Sequence, residues 1–139
     1  MTLMHATGIF YEGRGVLLTG PSGSGKSDLA LRMMARGAEL VGDDYLELSI
    51  NKNGRVVMSP AANIAGRIEV RNVGIMSVPH RAVAPVDLIV DLKDRAQLDR
   101  LPEPKFSALE GVNIPCLDFH AFDLSAPEKL HAALNILSQ

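Results

Sequence analysis

The chain has 139 residues, of which 47% are hydrophobic and 22% charged, the size and make-up of one globular domain. A formal charge of −2 and a pI near 6.1 leave no basic surplus, which argues against nucleic acid or acidic membrane as a general partner. No apolar run approaches the roughly 18 residues of a membrane span, no leader-like start is visible, and the single Cys116 cannot close an internal disulfide; the sequence reads as cytoplasmic.

In chain order, residues 4–11 are moderately apolar and end at the turn-rich Glu12-Gly13-Arg14-Gly15, which predicts a hairpin leading into a short buried strand at 15–19. Next comes the loop Gly20-Pro21-Ser22-Gly23-Ser24-Gly25-Lys26-Ser27, followed by a helix over 28–34 that Arg36-Gly37 closes. Leu40-Val41 starts another strand, which passes through Gly42-Asp43-Asp44, continues over 45–50, turns at 51–54 and returns over 55–58 as a hairpin. Ser59-Pro60-Ala61-Ala62 breaks the pattern, and 64–68 is expected as a short helix or turn. Residues 86–92 form an aliphatic, β-branched run that reads as a central strand. A polar segment over 93–101 follows, closed by Pro102 and Pro104, then a late strand at 112–117. Ser125-Ala126-Pro127-Glu128 opens a C-terminal helix with Leu130, Ala133, Leu134 and Leu137 on its apolar face. With strands outnumbering helices, the expectation is one α/β domain over residues 1–139 with a mixed central sheet flanked by helices.

The loop carries the chemistry. Its glycines allow the tight turn that aims successive N–H groups at phosphate oxygens, the following helix adds its positive end, Lys26 supplies a cation for the β- and γ-phosphates, and the Ser27 hydroxyl can ligate Mg²⁺. A phosphate cradle alone is not an enzyme, because transfer also needs carboxylates for metal and proton. Asp91, closing the strand at 86–92, has the local pattern of an ordinary P-loop ATPase. Asp43-Asp44 offers an adjacent pair whose like charges can raise one pKa towards a useful base, against the plainer reading of a solvated turn. His5 is the further titratable candidate, although a lone histidine is more often structural. His80, His120 and His131 have no spacing with Cys116 that suggests zinc.

These residues resemble the catalytic domain of the HPr kinase/phosphorylase family, in a short form without the N-terminal domain. The resemblance runs from His5 to Gly74 through Gly15-Val16-Leu17-Leu18-Thr19, the loop, Arg36-Gly37-Ala38-Glu39-Leu40-Val41-Gly42-Asp43-Asp44 and Ile68-Glu69-Val70-Arg71-Asn72-Val73-Gly74-Ile75. It implies a fold similar to PEP carboxykinase, ATP and Mg²⁺ as cofactors, HPr as substrate and a hexameric homo-oligomer. It also implies roles: Lys26 on the transferred phosphate, Ser27 and Glu69 on Mg²⁺, Asp44 as base for a serine hydroxyl, Asp43 in support, His5 beside that carboxylate, Arg100 as a catalytic arginine and Arg81 as a second family arginine. On this comparison Asp91 becomes structural. Three departures stand out: Asn72 replaces a family glycine, the segment between Ile75 and His80 is shorter than in the long form, and the family's late arginine-containing stretch has no counterpart over 119–125, which argues against the phosphorylase reaction. A small-metabolite kinase and a nucleotide-sensing module without transfer are the alternatives.

Overall fold

The computed structural model describes residues 1–61 and 65–138. Its elements are β1 (Thr2–His5), β2 (Thr7–Tyr11), β3 (Arg14–Thr19), α1 (Lys26–Met34), β4 (Glu39–Gly42), β5 (Tyr45–Ile50) and β6 (Val56–Pro60). They continue as β7 (Arg67–Val70), β8 (Gly74–Ser77), β9 (Ala84–Pro85), β10 (Leu88–Leu92), a 3-10 turn (Arg95–Gln97), β11 (Lys105–Leu109), β12 (Val112–Phe119) and α2 (Ala126–Leu137).

A six-stranded mixed sheet, in the order β11-β12-β10-β3-β2-β4, forms the middle of the molecule. Its centre is parallel, β12 beside β10 beside β3, and antiparallel strands complete both sides. Strand alternation explains why the central strands are apolar throughout. Val16, Leu18, Leu88 and Val90 pack with Leu29, Met33, Leu130 and Leu134 of the two helices, while Leu17 and Ile89 point the other way. There they meet Leu46, Leu48, Val56 and Met58 of a second, four-stranded antiparallel sheet, β1-β5-β6-β9. Helices, mixed sheet and antiparallel sheet are therefore stacked in three layers, with apolar cores on both faces of the middle one.

The α/β class, the mixed sheet, the entry hairpin β2-β3, the helix after the loop and the central strand β10 all match the reading of the sequence. Several local expectations are corrected. Residues 40–50 are not one strand: β4 belongs to the six-stranded sheet and β5 to the four-stranded one, with Asp43-Asp44 between them. Likewise β1 pairs with β5, whereas β2 pairs with β3 and β4, so the chain also changes sheets at Ala6. Ser59 and Pro60 do not break the hairpin, since Pro60 pairs with Leu46 at the end of β6. Over 64–68, Ile64 lies outside the described residues, and Arg67 and Ile68 begin β7 of a separate β7-β8 hairpin. Strand β11 had no place in the sequence reading; it is joined to β12 by Glu110-Gly111, both at positive φ, a turn signal the sequence did display. Ser125 precedes α2, but its hydroxyl makes no capping hydrogen bond.

Candidate active site

Loop 20–27 leaves the carboxyl end of β3, a strand buried between the two apolar cores, and enters α1 at Lys26. Its conformation depends on glycine at two points. Gly25 caps α1 in the left-handed region at φ 101°, where a Cβ would lie 2.7 Å from the Ala121 Cβ. Gly20 has φ 145°, and a Cβ there would meet the Ser24 hydroxyl at 2.7 Å. The first N–H groups of an α-helix have no partner within the helix, and a helix start of this kind, α1 after its glycine-rich loop, is suited to receive anions.

Lys26 is only 8% exposed, and its Nζ donates to the carbonyls of Gly20 at 2.6 Å and Pro21 at 3.1 Å. Burial pulls its pKa below the ordinary lysine value, and the nearby carboxylates Asp43 and Asp44 partly oppose that shift. Ser27 Oγ donates to Asp43 Oδ1 at 2.8 Å, and the same oxygen accepts from the fully buried Thr7 Oγ1 at 2.9 Å. Asp43 is thereby held against the loop from two sides.

The double change of sheets builds the rest. As the chain passes from β4 to β5, Asp44 takes φ 73°, an unusual conformation for a residue other than glycine but one that aspartate tolerates. The parallel crossing from β1 to β2 lies alongside, tied by the Ala6 N–H to the Asp44 carbonyl at 2.9 Å and by the His5 to Tyr45 register. His5 Nε2 consequently sits 3.6 Å from Asp44 Oδ1, and its ring packs near Tyr45 with centroids 5.0 Å apart. The Asp44 side chain is 75% exposed, open to an incoming group, whereas Asp43 is half-buried.

Lys26, Ser27, Asp43, Asp44 and His5 are therefore brought together. Glu69 stands exposed on β7 and Arg100 is exposed beyond the 3-10 turn, and neither makes a hydrogen bond or ion pair among the described residues. Arg81 is used structurally, its Nε donating to Glu39 at 2.9 Å and its guanidinium lying 3.8 Å above the Phe10 ring. Asp91 lies closer to the loop than its demotion implied. It accepts from Thr19 Oγ1 at 3.1 Å and lines a cleft shared with loop residues Pro21 to Ser24. Sequence reasoning missed Thr7, whose signal was a hydroxyl within an apolar strand, and Arg32, which holds the segment after β12 through the carbonyls of Ala121 at 2.6 Å and Asp123 at 2.8 Å. Among the described residues, no three His, Cys, Asp or Glu side chains gather as a metal cage. Ser27 and Asp43 nonetheless fit the sparse protein contribution typical of Mg²⁺ sites, where phosphates and water supply most ligands.

Comparison with known proteins identifies the family. The family model described as HPr Serine kinase C-terminal domain matches residues 1–120. An HPr kinase/phosphorylase of Geobacillus sp. (strain WCH70) is 32% identical over 136 residues, covering 91% of this chain and 42% of the relative. One from Clostridium acetobutylicum is 40% identical over 78 residues, covering 56% of this chain and 25% of the relative. The chain thus spans less than half the length of these relatives. Among solved structures, the Hpr(Ser) kinase/phosphatase from Coxiella burnetii superposes with a TM-score of 0.87 at 24% identity, over 98% of this chain and 90% of that one, and so shares the fold. On the family match across 120 residues, this chain belongs to the HPr serine kinase C-terminal domain family.

Proposed function

We propose that this domain is the catalytic unit of a P-loop kinase, similar in fold to PEP carboxykinase, that transfers the γ-phosphoryl group of ATP to a serine of the phosphocarrier protein HPr. The observation that carries the reading is the convergence of Ser27, Asp43, Asp44 and His5 at the mouth of the glycine-rich loop. Loop N–H groups and Lys26 hold and orient the β- and γ-phosphates. Asp44, exposed and next to the site, accepts the proton of the serine hydroxyl as its oxygen bonds to phosphorus and the bond to the β-phosphate oxygen breaks, releasing ADP. His5 lies near enough to orient the Asp44 carboxylate, and Thr7 keeps Asp43 aimed at Ser27. Ser27 and Asp43 would hold Mg²⁺, with Glu69 as the further ligand suggested by family resemblance. When bound, that ion neutralises charge on the phosphates. We assign the reaction to the cytoplasm on the strength of the single thiol, and assembly as a homo-oligomer and a role for Arg100 on resemblance.

Incubating the chain with purified HPr, ATP and Mg²⁺ should add one phosphoryl group to an HPr serine by mass spectrometry. Asp44→Asn should reduce transfer by at least about a hundredfold, the scale of a general base, while ATP binding by calorimetry is retained; normal transfer by this variant would sink the assignment. A nucleotide-sensing module is the second reading, favoured by the lack of an arginine-containing stretch over 119–125. It requires tight ATP binding with no transfer to HPr.

A further inference from the structure

Three loops end at the carboxyl edge of the parallel strands β3, β10 and β12: the glycine-rich loop, the segment 93–97 and the segment 120–124. In open α/β sheets this edge is where ligands settle. Here the three loops enclose a cleft of about 410 Å³, within the range of small-molecule sites, lined by Pro21 and Ser24 from the first, Asp94 and Gln97 from the second, and His120 and Phe122 from the third. The phosphate cradle forms one wall, so a ligand whose phosphates lie in loop 20–27 has its remaining part adjacent to this space.

The cleft is also braced. Arg95 of the second loop pairs with Asp123 of the third, a carboxylate only 5% exposed that also pairs with Lys129 at 3.0 Å. Arg32 of α1 ties the third loop to the helix that follows the first. His120 Nδ1 is 2.9 Å from the Lys93 carbonyl, joining the second and third loops again. Against this rigid frame Phe122 keeps 56% of its surface exposed, its ring edge-on to His120 at a centroid distance of 5.9 Å. A large aromatic left open beside a phosphate cradle, next in the chain to the ion-paired Asp123, is suited to a flat, apolar-faced ring. The Ser24 hydroxyl is buried in the same region without a hydrogen-bond partner among the described residues.

We propose that this cleft takes the nucleoside moiety of a nucleoside triphosphate, with Phe122 as the platform on which the base stacks. The inference rests on the loop's binding phosphates, and it makes Phe122 the residue that favours a nucleotide over an inorganic polyphosphate. Calorimetry on the full chain with ATP and, separately, with inorganic tripolyphosphate tests it. Phe122→Ala should weaken ATP by about tenfold and leave tripolyphosphate unchanged, and Phe122→Tyr, which keeps the aromatic face, should restore ATP affinity. The proposal is overturned if Phe122→Ala binds ATP as the unaltered chain does, or loses both ligands in equal proportion, which would make Phe122 a mere support for the loop. Should the unaltered chain bind tripolyphosphate as tightly as ATP, the cleft contributes nothing and the proposal fails while the phosphate-loop reading survives. Binding of neither ligand removes the phosphate-loop reading itself.

Discussion

Lys26 is a cation that the fold has taken out of water. Its lowered pKa means that the folded chain holds the lysine proton less tightly than the unfolded chain does, so the charged side chain costs stability at neutral pH. That cost diminishes as pH rises through the folded pKa towards the ordinary lysine value, the reverse of a lysine that gains a partner. Lys26→Met, which keeps the aliphatic stem and removes the charge, should therefore raise Tm at neutral pH while abolishing ATP binding; a lowered Tm would contradict the sign. Stability given up for a charge at a candidate binding site is the trade expected where function sets the residue.

At the scale of elements, the site depends on how closely the two sheets approach. Gly15 on β3 has no side chain because the Pro85 carbonyl of β9 occupies the space a Cβ would need. Gly8 on β2 similarly faces the Met58 sulfur, which a Cβ would meet at 2.7 Å. Gly15→Ala should force backbone apart where the layers meet and cost at least about 3 kcal/mol, the upper range of overpacking, visible as a lower urea midpoint. The sheet's other side has an electrostatic clasp. Burial alone would raise the Asp118 pKa, but hydrogen bonds from Lys105 and Lys93 outweigh it and hold the carboxyl below the ordinary aspartate value. Asp118 lies 2.7 Å from Lys105 on β11 and 3.4 Å from Lys93 after β10. A depressed folded pKa contributes stability that is complete above the unfolded value of about 3.9 and disappears as pH falls through the folded value. Asp118→Asn should flatten that acid limb of a Tm-against-pH curve, with a small effect at neutral pH because the lysines are partly exposed.

For the whole molecule, the two cores do different work. One secures the helices, and with them the start of α1; the other holds the antiparallel sheet against the middle one, and with it the two crossings that deliver His5, Thr7, Asp43 and Asp44. Leu17, fully buried between the sheets, tests that division. Leu17→Ala should cost about 2–5 kcal/mol by urea denaturation without changing the m-value, and surviving folded protein should lose transfer to HPr more than ATP binding.

Much of this was legible in residue order. The loop 20–27, the strand before it and the helix after it could be read because glycine, lysine and serine at fixed spacing are local chemistry, and buried strands and amphipathic helices are short-range patterns. The sheet change at Asp43-Asp44 could not, because alternation over 40–50 is the same whether one strand continues or two strands face different layers. The place of Asp91 beside the loop, the grip of Thr7 on Asp43 and the bracing of the last cleft by Asp123 involve partners 36 to 91 residues away or on a separate element, beyond the reach of local pattern. By itself, then, the sequence determined a glycine-rich loop between a strand and a helix, candidate carboxylates and a mixed α/β domain. Only the tertiary structure decided how Asp43 and Asp44 are set beside that loop, because two separate chain crossings between layers, packed side by side, fix their positions.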